Sequence, residues 1–152
     1  MAPSRKRVFH FELWPDPAGK ELLESRPDFE VRHLSPNDPE DKNWEIVRGG
    51  HAYMVGARRQ LRPMWYPDEK LIAASPNLLT ICNKGTGVEA IDVDACTKAG
   101  VIVCNQRGAN ADAVAEYTLA LMMTLARKIV QAERIVKKGV PPDYREIGRA
   151  HV

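Results

Sequence analysis

Residues 77–105 read NLLTICNKGTGVEAIDVDACTKAGVIVCN, and their alternation decides the fold. NLLTICN (77–83) is a nearly continuous apolar run of strand length, the pattern of a strand covered on both faces. DVDACTKAG (92–100) starts with an acid and ends in Lys-Ala-Gly, the polarity of a short helix. VIVCN (101–105) is again strand-like. A strand, a helix and a strand in that order make a parallel βαβ unit.

The same alternation continues upstream. RVFHFELW (7–14) is an aromatic and β-branched run that stops at Pro15, and AGKELLESR (18–26) is a short helix closed by Pro27. FEVRHL (29–34) alternates apolar and charged residues, as a strand near a sheet edge does. PEDKNWEIVRGG (39–50) has proline and acids first and glycines last, a second helix. AYMVGA (52–57) is a third strand and YPDEKLIAAS (66–75) a third helix. Five strands separated by helices predict a doubly wound, five-stranded parallel α/β sheet of the flavodoxin-like kind, spanning 1–105. Right-handed crossovers put the strand C-terminal ends, and any ligand, on one edge.

After NQRGAN, the chain predicts one long helix over 112–138. Asp112 and Glu116 sit in or near its first turn and Lys137 and Lys138 in its last, followed by Gly139 and Pro141-Pro142. Its middle, YTLALMMTLA (117–126), is apolar nearly all round, so it needs cover on several sides from a further domain or a second subunit. Residues 140–145 are expected to begin a further domain. The tail IGRAHV back-translates to a common sequencing-library adapter, so 146–152 are expected to be foreign to the gene and His151 carries no weight.

At 152 residues the chain is about one domain long, with net charge +2, which points to neither a nucleic-acid nor a membrane surface. No apolar run reaches the roughly 18 residues of a membrane span, and the N-terminus lacks a secretory h-region. The basic SRKR (4–7) reads as a solvated lead-in to the first strand. Cys82, Cys96 and Cys104 show no C-x-x-C, and the four histidines are scattered. The expectation is reduced, buried thiols in a cytoplasmic protein, with no metal site and no Cys–His nucleophile.

Gly85-Thr86-Gly87-Val88-Glu89-Ala90 fits G-x-G-x-x-[GA], the pattern of a dinucleotide-binding loop. Its setting disagrees with that reading. Such a loop opens the first βαβ unit, leads into a full crossover helix and meets an acid about 20 residues on. Here the loop follows the fourth strand, its helix is short, and the next strand ends in Asn105-Gln106-Arg107. What remains is a turn with backbone N–H groups exposed beside a helix N-terminus, suited to a carboxylate. A tight loop with no ligand stays open on the residues alone.

NKGTGVEAIDVDACTKAGVIVCN (83–105) and GANADAVAEYTLALMMTLAR (108–127) resemble the D-isomer-specific 2-hydroxyacid dehydrogenase family. The family pattern is G-x-G-x-[DE]-x-[IV]-D, a strand ending in Asn, then G-x-N-x-x-x-V-A-E and a long helix. The likeness is close over 78–139 and upstream extends to layout more than to sequence. It implies the substrate-binding part of an NAD-dependent (NADP possible) oxidoreductase acting on the CH–OH group of a small 2-hydroxy or 2-oxo acid. Gly85, Thr86 and Gly87 would grip the substrate carboxylate, with Thr86 also touching the cofactor, and Asn110 would face the cleft. The helix over 112–138 would pair with its symmetry mate in a homodimer.

Many members carry an Arg-Ser pair after the third strand. This chain has Gly56-Ala57, leaving Arg58 or Arg59 just beyond as candidate carboxylate ligands. The family's nucleotide loop and its catalytic Arg, Glu and His would all lie downstream, so the chain alone is expected to be inactive. The rival reading is a stand-alone flavodoxin-like binding domain or a corepressor-type relative. A Mg²⁺-binding receiver is disfavoured, because the third strand ends in VGAR without an acid.

Overall fold

The computed structural model describes residues 5–11 and 17–139. They belong to two units, divided between Ala109 and Asn110. The segments expected to begin a further domain (140–145) and to derive from an adapter (146–152) lie outside the described residues.

The apolar runs of the first unit become strands β1 (Lys6–His10), β2 (Phe29–His33), β3 (Ala52–Val55), β4 (Thr80–Asn83) and β5 (Ile102–Cys104). Between them lie helices α1 (Pro17–Glu24), α2 (Glu40–Arg48), α3 (Glu69–Ala73) and α4 (Val93–Ala99). All strand pairs are parallel, in the order β2-β1-β3-β4-β5. That is the flavodoxin-like order, with FEVRH at an edge as its alternation predicts.

Register sorts the side chains into rows. Phe9, Tyr53, Ile81 and Val103 are successive partners across four strands. This row meets Val47 of α2, Leu71 and Ile72 of α3, and Ala95 and Cys96 of α4 in one core. Aromatic side chains extend the core beneath the segment after β3. The Phe9 ring stacks on Tyr53 at 4.5 Å and Phe11 stacks on Trp65 at 4.7 Å. The buried Tyr53 hydroxyl donates to the Trp65 carbonyl at 2.9 Å, so the polar tip of the ring is satisfied. Two 3-10 turns, Arg58–Gln60 and Pro63–Trp65, are pinned there.

Caps set the helix ends nearest the strand C-termini. Asp68 accepts from the N–H groups of Lys70 and Leu71 at the start of α3. Asp92 accepts from Ala95 N–H at 2.9 Å at the start of α4. Gly100 ends α4 at φ +72°, a left-handed conformation that glycine adopts without Cβ strain.

Three expectations change. Strand pairing in β1 covers Lys6–His10, and Phe11 already lies in a bend; residues 12–16 are outside the described set. β4 is not covered on both faces: Thr80 and Cys82 are only half-buried, while Ile81 is fully buried. Cys82 is therefore half-buried and Cys104 exposed, so of the three thiols only Cys96 is fully inside.

In the second unit the single helix expected over 112–138 is two, α5 (Ala111–Ala126) and α6 (Ile129–Lys137). Lys128 breaks them in the left-handed region at φ +50°. No glycine or proline marks the place, so the apolar pattern runs through it unbroken. None of the α5 residues is buried, and Leu119 and Leu125 are 63% and 75% exposed. Among the described residues no helix is long and apolar enough to cross a membrane.

Candidate functional site

The loop following β4 is built by two asparagines, each the last residue of an apolar run. Asn83, at the end of β4, is buried, and its amide spans the turn: Oδ1 accepts from Gly85 N–H at 3.2 Å and Nδ2 donates to the Gly87 carbonyl. Asn105, just past β5, donates from Nδ2 to the Thr86 carbonyl at 2.6 Å. Gln106 N–H donates to the Gly85 carbonyl at 3.0 Å, and Ile91 N–H to the Val88 carbonyl at 2.9 Å. The Thr86 hydroxyl reaches the Gln106 carbonyl at 3.4 Å.

Four consecutive carbonyls, from Gly85 to Val88, are thus engaged by the protein. In a planar trans peptide the N–H points away from its C=O, so anchoring the carbonyls turns the following amides outward. Nothing among the described residues accepts from the N–H of Gly87 or Val88. These are the donors an anionic ligand could use.

The loop differs in two respects from a dinucleotide cradle. A Cβ on Gly87 would collide with the Glu89 carboxylate, which folds back against this glycine. The helix that follows, α4, has only seven residues. The absence of a side chain at Gly87 serves Glu89, whereas a Cβ at Gly85 would make only ordinary contacts with Asn83.

Arg58 lies elsewhere. Its guanidinium stacks over the Tyr66 ring at 4.4 Å from the centroid. With Tyr66, Asp68, Glu89 and Asp92 it lines a cavity of about 280 Å³ that Gly85, Thr86 and Gly87 do not line. Glu89 is the residue common to cavity and loop. Arg59 is exposed on the same 3-10 turn. Asn110 takes the N-cap position of α5, where its carbonyl accepts from Val114 N–H at 3.0 Å, and it opens the second unit.

Sequence reading singled out the glycines but not the residues that shape them: Asn83, Asn105, Gln106 and Glu89. The signal was there in the placing of an asparagine at the end of each of the last two strand-like runs.

The sequence model of the D-isomer specific 2-hydroxyacid dehydrogenase catalytic domain matches residues 8–140, and the chain belongs to this family. Among curated relatives, a D-3-phosphoglycerate dehydrogenase of Archaeoglobus fulgidus is 46% identical over 72 residues, which are 47% of this chain and 14% of that protein. A glyoxylate reductase of Thermofilum pendens is 38% identical over 72 residues, 47% of this chain and 21% of the relative. These stretches are under a quarter of the length of either relative. Among solved structures, the D-lactate dehydrogenase of Aquifex aeolicus complexed with NAD and lactic acid superposes with a TM-score of 0.73 at 22% identity, over 96% of this chain and 41% of that one. The apo D-mandelate dehydrogenase of Rhodotorula graminis gives 0.73 at 24% identity, over 97% and 46%. At these identities the structural likeness speaks for the fold.

Proposed function

We propose that this chain is the substrate-binding part of an NAD(P)-dependent oxidoreductase acting on the CH–OH group of a D-2-hydroxy acid. The observation that carries the reading is the anchoring of the carbonyls from Gly85 to Val88, which presents the Gly87 and Val88 amides to a carboxylate. Family membership supplies the reaction class. Thr86 is the proposed contact to the cofactor and Asn110 the proposed cleft residue of the second unit. Arg58 is a secondary carboxylate ligand, opposed by the negative charges of Asp68, Glu89 and Asp92 around its cavity. The nucleotide cradle is not this loop, and the proton-transferring groups are expected downstream.

The exposed apolar surface of α5 supports a homodimer through this helix, and the proposed setting is cytoplasmic.

The test is a titration of the ¹⁵N-labelled chain with D-lactate and, separately, with its uncharged methyl ester. The expected result is saturable shifts at the Gly87 and Val88 amides with the acid and none with the ester. Equal shifts with both ligands, or none with the acid, would reject a carboxylate site. Oxidation of D-2-hydroxy acids by the chain alone, in the presence of NAD, would refute the placement of the catalytic groups downstream.

A further inference from the structure

Two of the three thiols meet, although 22 positions separate them in the sequence. Cys82 on β4 and Cys104 on β5 are direct register partners in a parallel pair, so their side chains leave the same face of the sheet side by side. Adjacent strands are about 4.8 Å apart, inside the window of roughly 4.4–6.8 Å between Cα atoms that a disulfide spans. Both sulfurs converge on one hydroxyl: Thr80 Oγ1 lies 3.6 Å from Cys82 Sγ and 3.9 Å from Cys104 Sγ, while it donates to the Ile102 carbonyl. Cys104 is exposed and Cys82 half-buried, whereas Cys96 is fully buried on α4.

We propose that Cys82 and Cys104 form a redox-active dithiol that takes a low-molecular-weight disulfide as oxidant and closes a cross-strand disulfide. The exposed Cys104 thiolate attacks one sulfur of the oxidant RSSR, forming a Cys104–SR mixed disulfide and expelling RS⁻. The Cys82 thiolate then attacks Cys104 Sγ, the Cys82–Cys104 bond forms, and the second RS⁻ leaves. The two cysteines lose two electrons and two protons, and RSSR gains both to become two RSH. Burial, ahead of the Thr80 and Cys104 neighbours, raises the Cys82 pKa, which leaves the first attack to the exposed Cys104.

Each cysteine directly precedes an asparagine that holds the glycine loop. Cys82 is followed by Asn83, bonded to Gly87, and Cys104 by Asn105, bonded to Thr86. Side chains of parallel partners run alongside each other, so closing the bond requires the two strand ends to lean together. The closed bond tightens the frame from which the loop hangs, and a thiol reductant reopens it.

The experiment treats the full chain with glutathione disulfide, blocks free thiols by alkylation and maps peptides by mass spectrometry. The expected product is a chain with an intramolecular Cys82–Cys104 link, no covalent link to a second chain, and Cys96 alkylated only after denaturation, reversed by dithiothreitol. Cys96→Ser should behave as the parent, and Cys104→Ser should form no intramolecular disulfide. Hydrogen exchange at Gly85 to Val88 should slow on oxidation of the parent. A glutathione adduct that persists on Cys104 without resolving, a disulfide that uses Cys96, or only intermolecular links would overturn the proposal. The map of the unsubstituted chain decides even if a variant fails to fold.

Discussion

Replacing Asn83 by alanine should loosen the glycine loop while leaving the sheet intact. The side chain is buried and makes two hydrogen bonds, accepting from Gly85 N–H and donating to the Gly87 carbonyl. A typical net contribution is about 1 kcal/mol per bond, and more where the abandoned partner is shielded from water. Gly85 is exposed, so water replaces its lost acceptor at little cost; Gly87 is half-buried and loses more. The expected total is about 2 kcal/mol. With a urea dependence of about 1.5 kcal/mol per molar, the unfolding midpoint should fall by roughly 1.3 M with an unchanged slope. D-lactate affinity should fall with it, because the Gly87 carbonyl is no longer held inward. Asn83→Asp sharpens the test. It keeps the acceptor for Gly85 N–H but turns an anionic oxygen toward the Gly87 carbonyl, so the folded state favours the protonated acid and raises its pKa. The aspartate variant should therefore be less stable than the alanine variant at neutral pH. That deficit should shrink as pH falls through the raised folded-state pKa. An alanine variant within about 0.5 kcal/mol of the parent, with unchanged lactate affinity, would refute the role given to this side chain.

His51 accepts a hydrogen bond from Arg7 N–H on Nδ1 at 3.1 Å, and burial, reinforced by the charges of Lys6 and Arg7, holds its pKa below the ordinary histidine range. Its neutral form is the folded form, so the stability it contributes is present above the unfolded pKa of about 6.5 and lost as pH falls through the depressed folded value. His51→Gln should flatten the stability–pH curve in that window; an unchanged slope in urea melts between pH 7 and 5 would count against it. Leu119 and Leu125 are exposed on α5, and substituting both by aspartate should leave a dimer dissociated, measured by sedimentation velocity at matched concentrations. A parent chain that is monomeric at high concentration, or a dimer that survives the double substitution, would remove α5 from the interface. On Gly50, any side chain would run into the Phe9 ring in the core. Gly50→Ala should therefore cost about 1–3 kcal/mol in chemical denaturation, the range for overpacking; a neutral effect would show that the β1–β3 junction yields.

The alternation of strand-like and helical runs, read by itself, determined the five parallel strands and four short helices, because each run pairs its own period with its own breaker. Pro27 closes the α1 region, Asp92 and Gly100 bound α4, and each acts within a few residues. The setting of Gly85-Thr86-Gly87 after the fourth strand is also read along the chain, and it is the ground on which a carboxylate rather than a nucleotide phosphate is proposed there. Other features depended on partners distant in sequence. The carbonyls of Thr86 and Gly87 are held by Asn105 and Asn83, and only the β4–β5 register brings Asn105 to the loop. Arg58 looked free to meet a carboxylate, but folding stacks it on Tyr66 beside three acids. The break at Lys128 has no local marker, since a lysine at φ +50° is not written in residue preferences. Local chemistry acts over a few residues and is legible along the chain; pairing in register brings residues such as Cys82 and Cys104 together across a distance that no local pattern encodes.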